Sequence, residues 1–217
     1  DSHAVQTGKM LEGIETILLD EKPDWTLVYG DTNSTLAGAL AATKLYIPLA
    51  HVEAGLRSFN RQMPEEINRI VTDRISDLLF APTQTAMINL EKEGLLPASC
   101  LTGDVMFDST CFYKEKILKD PALYQSNDLP GEYLLATVHR AENTDDPEKL
   151  RSILSAFDTI NELIIFPVHP RTEKAIKALG YIPGENIRMI APVGYLDMVR
   201  LEQNAHFILT DSGGIQK

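Results

Sequence analysis

The stretch Thr26-Leu27-Val28-Tyr29-Gly30-Asp31-Thr32-Asn33-Ser34-Thr35 is a short apolar run that stops at a glycine and a carboxylate. The run reads as a strand, Gly30-Asp31 as a turn, and residues 34–45 as the helix that follows. The same unit recurs along the chain. Pro48-Leu49-Ala50-His51-Val52 ends in Glu53-Ala54-Gly55-Leu56-Arg57-Ser58, and Tyr133 to Val138 ends in His139-Arg140-Ala141-Glu142-Asn143. Leu163 to Val168 ends in His169-Pro170-Arg171-Thr172, and Phe207 to Thr210 ends in Asp211-Ser212-Gly213-Gly214. Short apolar runs alternating with longer amphipathic segments are the signature of a parallel sheet covered by helices, so the expected class is α/β.

Helices are also expected over 4–20, 65–76, 83–93, 147–161, 171–179 and 195–203, and after Gly214. Further strands are expected at 78–81, 99–102 and 187–190. The rhythm breaks over 104–130, where Lys114, Lys116 and Lys119 precede Asp120, Pro121, Asn127, Asp128, Pro130 and Gly131. This segment reads as a connecting helix and linker, dividing the chain into a first domain, 1–115, and a second, 116–217.

Composition narrows the function. Of 217 residues, 44% are hydrophobic and 24% charged, which excludes wholesale disorder. No apolar stretch approaches the ~20 residues that cross a bilayer. The net charge of -11 disfavours broad nucleic-acid binding but allows a local cationic pocket. Two cysteines, Cys100 and Cys111, fit a reducing cytosol and hence a cytoplasmic protein. There is no Walker A motif and no Gly-x-Gly-x-x-Gly, so the ATPase and dinucleotide fingerprints are missing. The five histidines form no tight ligand pair, and no metal or cofactor is expected.

In open parallel sheets, ligands bind outside the carboxyl ends of the strands, where the polar residues fall here. Asp211-Ser212-Gly213-Gly214 is a phosphate candidate: two glycines admit an oxyanion to the backbone, and a following helix would add N–H donors. The alternative is an ordinary turn with Asp211 or Ser212 as N-cap. His139-Arg140 suits a diphosphate, with Glu142 or Asn143 as a helix cap the alternative. His169-Pro170-Arg171 is a weaker version of the same pattern. Asp31, Glu53 and Glu65 form an acid–base set. Against it stand Asp31 as a helix cap, dipole compensation by Glu65-Glu66 after Pro64, and an ion pair of Glu53 with Arg57 or Arg69.

Several motifs occur together and in order. They are Gly30-Asp31-Thr32, His51-Val52-Glu53-Ala54-Gly55-Leu56-Arg57, Pro64-Glu65-Glu66-Ile67-Asn68-Arg69, Thr102-Gly103-Asp104, His139-Arg140-Ala141-Glu142-Asn143, Val168-His169-Pro170 and Thr210-Asp211-Ser212-Gly213-Gly214-Ile215-Gln216. Together they resemble the non-hydrolysing UDP-N-acetylglucosamine 2-epimerase family from about residue 24 to the end. The resemblance implies a glycosyltransferase-B-like pair of Rossmann-like domains with the active site between them. It implies interconversion of UDP-GlcNAc and UDP-ManNAc, by anti elimination of UDP to a 2-acetamidoglucal and re-addition. It casts Asp31, Glu53, Glu65 and His139 as catalytic residues. Arg57, Arg140, Asn143, His169, Met198, Ser212, Gly213 and Gly214 become substrate-binding residues, His139 and Ser212 meeting the diphosphate. Val193 to Met198 would lie by the uracil, although family members can carry an aromatic ring where Met198 stands. A homodimer is also implied.

The chain departs from the family by omission. The usual opening strand with Gly-Thr-Arg-Pro-Glu does not precede residue 24, and family members continue past the Gln216 position. The sequence therefore reads as an internal segment of a longer protein. Rival readings are a 2-epimerase of a UDP-diacetamido-uronic acid, with Arg61 a candidate for the extra carboxylate, a glycosyltransferase of the same fold, and a non-catalytic UDP-sugar-binding fragment.

Overall fold

The structure, a computed structural model, describes residues 2–120 and 131–216. It divides into two units between Val105 and Met106. Each is a Rossmann-like α/β layer around a four-stranded sheet in which every pairing is parallel.

The first unit runs α1 (His3–Glu21), β1 (Thr26–Tyr29), α2 (Asn33–Lys44), β2 (Leu49–Val52), α3 (Pro64–Ile75), β3 (Leu78–Ala81), α4 (Gln84–Lys92), a short 3-10 turn (Leu96–Ala98) and β4 (Ser99–Leu101). Its strands lie in chain order, β1-β2-β3-β4. Thr32 caps α2 by exchanging hydrogen bonds with Thr35, and the Thr35 hydroxyl also donates to the Tyr29 carbonyl at 2.6 Å. The alanines at 37, 39, 41 and 42 of α2 are fully buried, and the last three join Leu18, Val28 and Leu49 in one cluster. Such small side chains admit α2 close to β1, where a Cβ on Gly38 would stand 3.3 Å from a Val28 methyl. Leu79, Ala81, Ala86 and Leu90 form a second cluster beneath α4. On the opposite face of the sheet, Leu27 and Tyr29 are exposed.

The second unit runs α5 (Val105–Lys119), β5 (Leu134–Thr137), α6 (Ala141–Thr144), α7 (Pro147–Asp158), β6 (Ile164–Pro167), α8 (Pro170–Ala178), β7 (Ile187–Ile190), α9 (Tyr195–Asn204) and β8 (Phe207–Thr210). Its strand order is β7-β6-β5-β8. The chain therefore winds outward from β5 to β7 and then returns to the other side of β5, which makes the β5/β8 boundary a topological switch point. Alternate residues of β5 bury both faces: Leu134 and Ala136 enter one cluster with Leu150, Leu154 and Phe166, Leu135 another with Tyr133, Ile165 and Leu201. Burial on both faces explains why the strand reads as an unbroken apolar run.

The linker expected over 104–130 begins as the continuous helix α5, and its part at 121–130 lies outside the described residues. A helix is expected after Gly214; the described residues there, 213–216, make a turn. Helix α6, four residues long, escaped the periodicity reading because one turn shows no repeat.

Candidate functional site

In the first unit the polar residues gather at the carboxyl ends of β1 and β2. These ends adjoin, because Tyr29 pairs with Val52 and the Gly30 amide donates to the Val52 carbonyl at 3.0 Å. Gly30 takes the left-handed conformation, φ 66°, and a Cβ there would stand 3.3 Å from Glu53 Oε2. The Glu53 carboxylate thus lies against the Gly30 backbone, one residue from Asp31. Glu53 itself has φ 70°. For a residue with a Cβ this conformation costs ~1–2 kcal/mol, and such strain persists only where the surroundings over-determine it.

Asp31 is not a helix cap, since Thr32 holds that position. Its carboxylate pairs with the Arg69 guanidinium, and its carbonyl accepts from Asn68 Nδ2 at 2.9 Å. Both partners lie on α3, three and four residues beyond Glu65. Glu65, half-buried in the first turn of that helix, therefore shares the face that holds Asp31. Two adjoining strand ends thus carry Asp31 and Glu53, and α3, which carries Glu65, is tied to Asp31 through Asn68 and Arg69.

The neighbouring Glu66 has another task. It is 1% exposed, and its carboxylate accepts from the Ser58 and Phe59 amides and the Ser58 hydroxyl, each at 2.9 Å. Burial alone would raise its pKa. The Ser58 and Phe59 hydrogen bonds and the Arg69 charge outweigh burial and hold it below the ordinary value.

Arg57, expected to bind substrate, is instead built into the interior. Its side chain is 2% exposed, lies 2.7 Å from Asp73 Oδ2, and donates to both Glu93 oxygens at 2.8 Å. Burial opposes its charge, but the Glu93 and Asp73 carboxylates prevail and raise its pKa. Arg57 pairs with Asp73 and Glu93, and Arg69 with Asp31 and Glu66.

In the second unit the site forms at the switch point. Thr137 pairs with Thr210, their hydroxyls 2.7 Å apart, so the segments after β5 and β8 emerge side by side. Asp211 ties them together. It accepts from the His139 amide at 3.1 Å, the Arg140 amide at 3.0 Å and Asn143 Nδ2 at 2.9 Å. Burial would raise the Asp211 pKa, but the bonds from Asn143, Arg140 and His139 and the nearby His139 ring lower it. Asn143 is thus spent on Asp211. His139 and Arg140 are exposed, and a Cβ on Gly213 would stand 3.7 Å from Arg140 Nη2. The guanidinium reaches across to the glycine pair, where the half-buried Ser212 hydroxyl lies near Gly214. The anion-binding capacity rests on His139, Arg140, Ser212 and open backbone.

His169 caps α8, its Nδ1 accepting from the Arg171 amide at 3.2 Å, while its ring stays exposed. Met198 packs against the cluster of Tyr133, Leu135, Ile165 and Leu201. Among the described residues no group of three or more His, Cys, Asp or Glu side chains could hold a metal ion, and no helix is long and apolar enough to cross a membrane. Sequence reasoning missed Asp73, Asn68 and Asp211 as organisers. The one available signal was a carboxylate or amide on an otherwise core-facing position.

Comparison with known proteins bears on this arrangement. Residues 1–217 match the family model described as UDP-N-acetylglucosamine 2-epimerase. The chain is 57% identical to a UDP-N-acetylglucosamine 2-epimerase homolog of Methanococcus maripaludis, over all of this chain and 62% of that protein. It is 50% identical to the UDP-2,3-diacetamido-2,3-dideoxy-D-glucuronate 2-epimerase of Pseudomonas aeruginosa, over all of this chain and 61% of that protein. Among solved structures it is similar to the UDP-GlcNAc 2-epimerase of Methanocaldococcus jannaschii in complex with UDP-GlcNAc and UDP. That likeness has a TM-score of 0.90 and 47% identity, over all of this chain and 62% of the other. The chain therefore spans about three fifths of the length of these relatives. By this match along its entire length, the chain belongs to the UDP-N-acetylglucosamine 2-epimerase family.

Proposed function

We propose that the protein interconverts UDP-GlcNAc and UDP-ManNAc by eliminating and re-adding UDP. The observation that supports this reading is that Asp31 and Glu53 stand at adjoining strand ends, with α3, the helix of Glu65, tied to Asp31. Inverting C2 requires proton transfer on both faces of a planar glucal, and a single carboxylate would return the proton to the face it left. The second unit, residues 116–217 in this reading, supplies the other half of the chemistry. His139, Arg140 and Ser212 meet the diphosphate with charge and hydrogen bonds, so that the negative charge of the departing UDP is stabilised as it develops. His169 and the exposed backbone of Gly213 and Gly214 serve the same diphosphate, and Met198 lies towards the uracil. Arg57 and Asn143 act through their neighbours.

The similarity to the Pseudomonas aeruginosa enzyme favours a second reading, a UDP-diacetamido-uronic acid as substrate. In that case the exposed Arg61 is the candidate for the sugar carboxylate. The proposal includes a homodimer working in the cytoplasm, in keeping with the free cysteines Cys100 and Cys111.

The test is incubation of the intact protein with UDP-GlcNAc in deuterated water. Deuterium at C2 together with UDP-ManNAc supports the epimerase, while exchange only with the uronic acid substrate supports the second reading. Glu53→Gln is expected to abolish exchange and leave UDP affinity unchanged. Exchange within tenfold of the parent would remove Glu53 from the chemistry.

A further inference from the structure

We propose that His51, together with Asp73, is a positioning residue that sets both carboxylate-bearing turns of the first unit. The inference rests on the reading of Asp31 and Glu53 as the acid–base pair.

His51 is fully buried on β2, in one row across the sheet with Val28 and Leu79. A leucine would pack there as well. The imidazole instead has both nitrogens engaged: Nε2 lies 2.7 Å from the Gly30 carbonyl and Nδ1 lies 2.6 Å from Asp73 Oδ1. A carbonyl oxygen only accepts, so Nε2 carries a hydrogen. A second hydrogen lies between Nδ1 and the carboxylate, because two bare lone pairs at 2.6 Å would repel.

Two peptide groups hang on this pair. One is the Gly30 carbonyl, part of the peptide bond to Asp31. The other is the Gly55 amide, which donates to Asp73 Oδ2 at 3.0 Å and belongs to the turn carrying Glu53. Arg57 braces Asp73 from behind, 2.7 Å from Oδ2, and is itself anchored by Glu93. Asn89 holds the remaining side of the turn by donating to the Gly55 carbonyl at 2.9 Å. Buried ion pairs are weak net stabilisers compared with apolar packing. What this cluster provides is geometry. It over-determines the left-handed backbone of Gly30 and Glu53 and holds their carboxylate neighbours to within the fraction of an ångström that proton transfer needs.

Two substitutions separate the contacts. In His51→Gln the amide still reaches the Gly30 carbonyl, whereas in His51→Asn the shorter side chain keeps only the Asp73 contact. Both variants are expected to fold. His51→Asn should lose about 100-fold in kcat for C2 exchange with KM within about threefold of the parent, the scale of a misplaced reacting group. His51→Gln should recover at least tenfold of that loss. Amide hydrogen exchange over Gly30 to Thr32 should be at least tenfold faster in His51→Asn than in His51→Gln. Equal turnover in the two variants, a loss confined to KM, or failure of either to fold would overturn the proposal. If the unsubstituted protein exchanges no deuterium at C2, the epimerase reading falls. The amide-exchange comparison then still decides whether His51 holds the turn.

Discussion

Glu65 and Glu66 stand side by side in the first turn of α3 and have opposite duties. One hundred degrees of helical rotation separate them: Glu65 stays half-buried, while Glu66 turns inward and satisfies the amides of Ser58 and Phe59. Glu65→Gln is therefore expected to lower C2 exchange at least 100-fold with no change in the urea midpoint. Glu66→Gln is expected to destabilise the protein by about 1–3 kcal/mol, the cost of weakening a buried, charge-assisted network. Paired urea titrations and exchange assays check both; a stability loss in Glu65→Gln, or none in Glu66→Gln, would reverse the assignment. Nothing in the dipeptide distinguishes the two carboxylates. The motif places them at a helix start, but which one enters the core depends on the loop that α3 packs against.

The turn Glu53-Ala54-Gly55 shows what a short element demands of its residues. Gly55 has φ 79°, and a Cβ there would lie 2.5 Å from the Ala86 carbonyl oxygen and 2.8 Å from Leu90 Cγ. The turn passes so close to α4 that only hydrogen fits. Gly55→Ala combines left-handed strain with overpacking against backbone, and should cost about 2–4 kcal/mol in a denaturant titration. A loss below 1 kcal/mol would mean that α4 yields easily. The strand ends were legible in the sequence because an apolar run that stops at a charge marks where a strand leaves the core. Helix α3 was legible from Pro64 and the two glutamates. The short helix α6 was not, because a single turn carries no periodicity.

At the scale of the whole molecule, each unit contains, among its described residues, a carboxylate whose pKa is held low by structural hydrogen bonds: Glu66 in the first, Asp211 in the second. A depressed native pKa contributes stability that is fully present above the unfolded values, ordinarily 4.5 and 3.8. It is lost as pH falls through the native values. Glu66 and Asp211 are thus expected to make the urea midpoint fall below about pH 5, while Glu202, whose pKa burial raises, works in the opposite sense as pH drops toward that range. Glu66→Gln should flatten part of that acid limb, and an unchanged limb would show that Glu66 contributes none of it.

The order of apolar runs and polar stops settled the α/β class, the parallel sheets and most of the candidate residues, because strand burial and turn chemistry are local. Folding alone decided which polar residues work on each other. His51 and Asp73 are 22 residues apart and meet only when α3 packs on β2; Asp211 and Asn143 are 68 apart and meet only because β8 returns beside β5. Arg57 illustrates the difference. In the chain it is a cation in the motif that carries Glu53, and in three dimensions it is enclosed by two carboxylates, because a buried charge must take its partners from whatever elements surround it.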